Sequence, residues 1–224
     1  HVARKLAHEI KNPLTPIQLT IDNLKSKYEK FIDSSEKERY GKNLTTILSQ
    51  IKQIENLVNE FSEFARMPKP LFRDNNLVEL INTNVDLLKK TDNSININLD
   101  YSKDDKLNLN CDYEQISRTI FNLIKNSIES IQEKAQNIGN FDKKINIEIK
   151  RINHYIAINI FDNGIGFTSN IKKKELIKPY YTTKKKGSGL GLSIVNKIIN
   201  DHNGNIEFNS DKTGTNIILN LPVK

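Results

Sequence analysis

Apolar residues near the start of the chain fall at Ala3, Ala7, Ile10, Leu14, Ile17, Ile21, Leu24, Tyr28 and Phe31, in steps that alternate four and three. That spacing is the a/d seam of a helix packed on other helices. A second seam runs through Leu44, Ile47, Ile51, Ile54, Val58, Phe61 and Ala65, widened by Leu48, Leu57 and Phe64. The pattern therefore predicts a helix from near residue 1 to about Phe31. A turn at 32–36 follows, with a Ser cap before acidic residues. A second helix should end at Met67, because Pro68 and Pro70 follow. Two antiparallel helices with stripes this wide cannot bury them as one hairpin. Two hairpins can, as a four-helix bundle, so a homodimer is expected over residues 1–70.

The pattern changes after residues 68–76, which read as a linker between domains. Leu77 to Lys90 has helical spacing, and Ile95, Ile97 and Leu99 alternate with Asn as a half-buried strand does. Leu107 and Leu109 continue in that style. Tyr113 to about Gln136 is a long amphipathic helix carrying Ile116, Ile120, Leu123, Ile124, Ile128 and Ile131. Ile145, Ile147 and Ile149, then Ile156, Ile158 and Ile160, predict a strand hairpin. Residues 168–188 lack periodicity and read as a long loop. Leu190 to His202 is helical again, and 206–208 and 216–221 close the chain as strands. The fold class expected is α+β: a helical hairpin over 1–70, then an α/β sandwich over 71–224.

Composition narrows the class. The chain has 224 residues, 37% hydrophobic and 27% charged, which suits a globular protein of one or two domains. No apolar run approaches the roughly 20 residues that span a bilayer, and no signal peptide is visible. The start at His1, already inside a helical pattern, suggests a fragment. The single Cys111 excludes an internal disulfide and fits a reducing compartment. The net charge of +7 is spread: residues 1–70 carry 12 Lys/Arg against 9 Asp/Glu, and the rest 22 against 18. No basic stripe exists, so nucleic acid is not an expected partner. The runs Lys172-Lys173-Lys174 and Lys184-Lys185-Lys186 flank a glycine loop, where they suit either a solvated face or phosphate contacts.

Candidate chemistry begins at Ala7-His8-Glu9-Ile10-Lys11-Asn12-Pro13-Leu14-Thr15-Pro16. His8, Glu9 and Asn12 lie off the apolar seam, on the wet flank of the helix. Pro13 and Pro16 deprive the carbonyls of Glu9 and Asn12 of their usual donors, each at a cost of about 3 kcal/mol. Rule-breaking of that size beside a histidine marks a functional site, although a kinked structural helix explains it too. Further on, Asn122 and Asn126 share a face of the long helix, and a neutral amide oxygen suits a hard cation. Asp162-Asn163-Gly164-Ile165-Gly166 follows a buried strand; its aspartate would face a cavity and its glycines permit a tight turn and close ligand approach, although a plain β-turn explains it equally well. Gly187-Ser188-Gly189-Leu190-Gly191-Leu192 opens the last helix, where freed amides make an anion site.

In this order, these three features resemble the N, G1 and G2 boxes of the GHKL ATPases. Pro179-Tyr180-Tyr181-Thr182-Thr183-Lys184 resembles the F box, and Gly214-Thr215 the last glycine box. With residues 7–16 as an H box, the whole chain resembles a bacterial sensor histidine kinase of two-component systems. Phe61-Ser62-Glu63-Phe64-Ala65-Arg66-Met67-Pro68-Lys69-Pro70 points to its nitrogen-regulation branch.

The resemblance implies a Bergerat-type ATPase domain, ATP and Mg²⁺ as cofactors, and a response regulator receiver domain as partner. The location implied is cytoplasmic, in a parent protein anchored in the bacterial inner membrane, with no membrane contact by this segment. It implies His8 as phosphoacceptor and Glu9 as its base, with Asn12 orienting a water for dephosphorylation of the regulator. Asn126 would bind Mg²⁺ and Asn122 line that site. Asp162 would accept the adenine amino group in a pocket shaped by Gly164 and Gly166. Thr183, Lys184, Gly187, Gly189, Leu190 and Gly191 would form the phosphate lid. Two departures stand out: Ser127, where the family usually has Ala, and Glu129, where some relatives place a lysine. The rival readings are a GHKL ATPase releasing free phosphate, and a degenerate kinase serving as a dimeric scaffold.

Overall fold

The computed structural model describes residues 2–65, 67–90, 92–103, 106–167, 173–184, 187–211 and 213–223. They form two compact units, His1–Pro68 with Thr182–Leu190, and Lys69–Tyr181 with Gly191–Lys224. Of the lysine runs, Lys172, Lys185 and Lys186 lie outside the described residues.

The first unit is built on α1 (Val2–Tyr28), a 3-10 turn (Glu29–Phe31) and α2 (Ser34–Ala65). Helix α1 continues through Pro13 and Pro16. Every seventh residue of each seam is buried: Ala7, Leu14 and Ile21 on α1, and Leu44, Ile51 and Val58 on α2. The intervening seam residues Ile10, Ile17, Leu24, Ile47 and Ile54 are exposed in the chain. The hairpin thus buries one line of each stripe and leaves the other open. Tyr40 ties the two helices by donating to the Leu24 carbonyl at 2.8 Å. Two local expectations need correction. Ser34 and Ser35 are already helical, and it is the Asp33 carbonyl that accepts from Glu36 and Lys37. The described residues of helix α2 run to Ala65, and Met67 is not helical.

The second unit has a five-stranded sheet under three helices. Its strands are β2 (Asn96–Tyr101), β4 (Lys144–Ile152), β5 (Tyr155–Asp162), β6 (Asn205–Asp211) and β7 (Gly214–Pro222), in the order β2-β4-β5-β7-β6. Only β2–β4 is parallel. Alternation sends Ile145, Ile147, Ile149, Ile156, Ile158, Ile160, Ile217, Leu219 and Leu221 to one face, all buried. Helices α3 (Leu77–Lys89), α4 (Tyr113–Ile138) and α6 (Gly191–Asp201) are the other half of the sandwich. The core of α4 is Ile116, Ile120, Leu123, Ile124 and Ile131, none with exposed surface. Burying one such side chain contributes about 1.5–3 kcal/mol.

The expected linker at 68–76 is partly a strand. β1 (Arg73–Asn76) pairs antiparallel with β3 (Asn108–Cys111) as a separate ribbon. Its sequence, Arg-Asp-Asn-Asn, has little strand propensity, so the pairing partner decides its conformation. Asn76 then caps α3, accepting from Val78 and Glu79. Asp112 joins this region to α6. Its Oδ2 accepts from Leu71 N at 2.8 Å, and its own N–H donates to His202 Nε2 at 3.0 Å. His202 donates through Nδ1 to the Ile198 carbonyl at 2.8 Å, so its partners fix one neutral tautomer. Among its described residues, the expected loop at 168–188 contains one helical turn, α5 (Lys173–Leu176).

Candidate active site

On α1, the buried Ala7 and Leu14 turn one side of the helix inward, and His8, Glu9 and Asn12 are exposed. An imidazole in that position reaches solvent without disturbing the core. Lys11, between them, is half-buried. No shared contact of the three side chains is needed to place them: their spacing around a 3.6-residue turn puts Asn12 over His8.

In the second unit, Asp162 ends β5, where Ile160 beneath it belongs to the core. The residue is only 3% exposed. Oδ2 accepts from the Ser127 hydroxyl at 3.0 Å and Oδ1 from Gly164 N at 2.9 Å. Two donors keep a buried carboxylate tolerable. The backbone closes tightly around it. A Cβ on Gly214 would stand 1.8 Å from the Asp162 carbonyl oxygen, and one on Gly164 would stand 2.2 Å from Ser130 Oγ. Gly166 has φ +71, and a Cβ there would meet the Asp211 carbonyl at 2.2 Å. These three glycines are obligatory on steric grounds. The carboxylate is thus held by a donor from α4 on one oxygen and by the turn's own backbone on the other, while Gly214 packs against the Asp162 main-chain carbonyl. A hollow near this turn is walled by Phe161, Phe208, Ser210, Asp211 and Gly214, without Asp162.

The turn is also held from both sides. Asn163 accepts from Lys144 N at 2.9 Å and donates to the Asp142 carbonyl at 2.7 Å. Lys134 donates to the carbonyls of Asn163 at 2.7 Å and Gly164 at 3.1 Å, and Ser130 accepts from Ile165 N at 3.1 Å. Sequence reasoning missed Ser127, Ser130 and Lys134 as site residues. The available signal was spacing: Asn122, Asn126, Ser130 and Lys134 recur every four residues along α4.

Asn122 and Asn126 are half-buried on that ridge. Gly191 opens α6, and the nearest atom to a Cβ placed there is Asn126 Nδ2 at 4.0 Å. The structure thus brings Asn126 close to the start of α6, and Asp162 to Ser127 and Gly164. Among the described residues no group of three His, Cys, Asp or Glu side chains could hold a metal. A cation here would take an Asn126 amide oxygen, and its remaining ligands would come from phosphates and water. Asn126, a neutral oxygen donor on a half-buried ridge beside a helix start, fits that role for Mg²⁺.

The segment Thr182–Leu190 belongs to the first unit and is described within it. Thr182 Oγ1 accepts from Lys184 N at 3.1 Å, and Gly187 N donates to the Lys184 carbonyl at 3.3 Å. A Cβ on Gly187 would stand 2.5 Å from Thr182 Oγ1, and Gly189 has φ +70. Ser188 Oγ accepts from Leu190 N at 3.2 Å. Thr183 is exposed, Lys184 half-buried and Leu190 buried.

Residues 111–224 match the model of the histidine kinase-, DNA gyrase B- and HSP90-like ATPases, and residues 1–70 that of the His Kinase A (phospho-acceptor) domain. The chain belongs to the histidine kinases. It is 35% identical over 223 residues to the nitrogen regulation protein NtrY of Azorhizobium caulinodans, covering 100% of this chain and 28% of that one. It is 36% identical to a putative NtrY-like sensor histidine kinase of Rickettsia bellii, covering 97% and 34%. The chain thus spans about a third of the length of these relatives. Among solved structures, histidine kinase ThkA in complex with the response regulator protein TrrA matches at a TM-score of 0.66 and 26% identity, over 100% of this chain and 61% of that one. Full-length ShkA matches in fold, with a TM-score of 0.72 at 16% identity over 98% and 45%.

Proposed function

We propose that this chain is the catalytic core of an NtrY-like sensor histidine kinase. It would use Mg²⁺-ATP to phosphorylate His8 and pass the phosphoryl group to an aspartate of a response regulator receiver domain. The observation that carries the reading is the exposed imidazole of His8, beside Glu9, on a helix whose other side is buried. It stands within a stretch that matches a phospho-acceptor domain, and an ATPase-type domain follows in the same chain.

The roles follow from the residue chemistry. A ring nitrogen of His8 attacks the γ-phosphorus as the bond to the ADP oxygen breaks, and the proton on the other nitrogen passes to Glu9. Positioning and charge stabilisation dominate such a transfer. Mg²⁺, held by Asn126 with Asn122 beside it, would neutralise phosphate charge. Asp162 would accept from the adenine amino group, with Gly164 and Gly166 shaping the base-binding turn. Thr183, Lys184, Gly187, Gly189, Leu190 and Gly191 would follow the triphosphate. Asn12, one turn past His8, would orient a water for dephosphorylation of the regulator. The two domains would be 1–70 and 71–224. The open seam residues Ile10, Ile17, Leu24, Ile47 and Ile54 support a homodimer through the helical hairpins. The similarity to NtrY supports a role in nitrogen regulation, from a parent protein in the bacterial inner membrane with this part in the cytoplasm.

Incubation with γ-labelled ATP and Mg²⁺ tests the proposal. Wild-type protein should acquire an acid-labile, base-stable label, and His8→Ala should acquire none while still binding nucleotide. Full labelling of His8→Ala would refute the assignment. Release of free phosphate without self-labelling would favour the rival ATPase reading.

A further inference from the structure

Lys134 lies two turns beyond Asn126 on α4, last in the ridge Asn122, Asn126, Ser130, Lys134. Its ammonium reaches the carbonyl oxygens of Asn163 at 2.7 Å and Gly164 at 3.1 Å, and sits 5.3 Å from the centre of the Phe141 ring. These are the two peptide groups that flank Gly164. In the first, the oxygen points to Lys134, and the N–H of the same planar unit, on Gly164, donates to Asp162 Oδ1 at 2.9 Å. Because the peptide is rigid and trans, holding its oxygen holds its N–H on the carboxylate. In the second, the oxygen also meets Lys134, and its N–H, on Ile165, donates to Ser130 at 3.1 Å. Peptides beside glycine flip readily, since glycine tolerates both signs of φ. Here a single cation blocks both flips.

We propose that Lys134 is a positioning residue for nucleotide binding: without touching the nucleotide, it locks the Asn163–Gly164 turn so that Asp162 presents its carboxylate in one orientation to the base. The Phe141 ring holds the ammonium in place through its π face. Bonds from an ammonium are stronger than neutral ones and demand no particular side-chain plane, so one lysine serves two carbonyls. The proposal rests on the reading of Asp162 as the adenine acceptor. It predicts an effect on ATP affinity and none on the chemical step, because Lys134 lies at the base-binding turn and not at His8.

The test uses the 224-residue chain as wild type, Lys134→Met, Lys134→Arg and Phe141→Leu. Calorimetric binding of Mg²⁺-ATP, initial autophosphorylation rates against ATP concentration, and amide exchange at Gly164 and Ile165 are measured, with circular dichroism to verify folding. Lys134→Met should raise Kd and KM for ATP about tenfold, the equivalent of about 1.4 kcal/mol, with kcat within about twofold. It should also speed exchange at both amides. Lys134→Arg, which keeps the charge and the donors, should return to within about threefold of wild type. Phe141→Leu should fall between the two, and decides the matter should Lys134→Met fail to fold. Wild-type affinity in Lys134→Met, a loss in kcat and not in KM, or no recovery in Lys134→Arg would each overturn the proposal. A wild-type chain that binds no ATP would instead overturn the reading of Asp162 itself, and the proposal with it.

Discussion

The hydroxyl of Ser127 donates to Oδ2 of Asp162 at 3.0 Å, with both residues buried. Ser127 differs from the alanine usual at this place in the family, and the structure gives the difference a consequence. One oxygen of the carboxylate is served by the turn's own backbone and the other by α4. The aspartate is thereby tied to the helix that carries Asn122 and Asn126.

Ser127→Ala should therefore cost about 1.5–3 kcal/mol of stability, the range for a hydrogen bond to a charged group. Urea unfolding of the two proteins measures it. An unchanged midpoint would show that the hydroxyl gives Asp162 nothing.

Two glycines make a paired prediction. Gly214 lies in the β6–β7 hairpin with φ +150, and a Cβ there would stand 1.8 Å from the Asp162 carbonyl oxygen and 2.9 Å from Asn163 Cα. Backbone cannot yield as a flexible side chain does, so Gly214→Ala should destabilise by about 3 kcal/mol or more and abolish nucleotide binding. Gly41, on α2, has nothing within 4 Å of an added Cβ. Gly41→Ala should stabilise the hairpin by about 0.5–1 kcal/mol, since alanine loses less backbone freedom in a helix. Thermal melts that moved in the same direction for both would contradict the steric account.

Periodicity made the helices and the β4–β5 hairpin legible, because each is long and buries one clear face. Ile145, Ile147 and Ile149 could hardly lie on anything but a half-buried strand. β1 was not legible: Arg73–Asn76 holds no apolar residue, and only its ladder with β3 makes it a strand. The helical turn Lys173–Leu176 was missed for a related reason, as four residues carry no period. At the site, the glycines stood out by type, and the structure shows why Gly164, Gly166 and Gly214 cannot be replaced. Ser130 and Lys134 were silent because serine and lysine on a helix usually mark solvent, and Ser127 stood out only as a departure from the family pattern. What gives them a role is the tertiary approach of the 162–165 turn, which no local pattern encodes.

Cys111 offers a probe of the second unit. It is fully buried on β3, and burial pushes its thiol up to about 11. In the folded chain the thiol holds its proton where the unfolded chain, near 9.0, has released it. The contribution to stability is thus complete below pH 9.0 and is lost as pH rises from there to about 11. A disulfide reagent at pH 8 should not react with the native protein and should react fully in urea. Across that alkaline window wild type should lose stability more steeply than Cys111→Ala. Rapid native reaction, or identical slopes, would refute the burial argument.

The unburied line of the hairpin seam makes the last prediction, which rests on the proposed homodimer. Ile17 is 45% exposed and Ile54 41% exposed, whereas Leu14 and Ile51, three residues before each, are at 8% and 6%. Within one chain Ile17 gives up little on replacement, because its surface already meets water. In a four-helix bundle it would lie between two hairpins, where a lysine ammonium could not be buried without a partner. Ile17→Lys should therefore leave the helical circular dichroism of the monomer intact while abolishing association. Sedimentation should place the wild type near twice 25.8 kDa and the variant near 25.8 kDa. Leu14→Lys is the contrast, because it strikes the line buried inside the hairpin and should unfold the helices along with any dimer. A wild-type chain that sediments as a monomer, or an Ile17→Lys variant that still pairs, would show that the open seam is not the dimer surface.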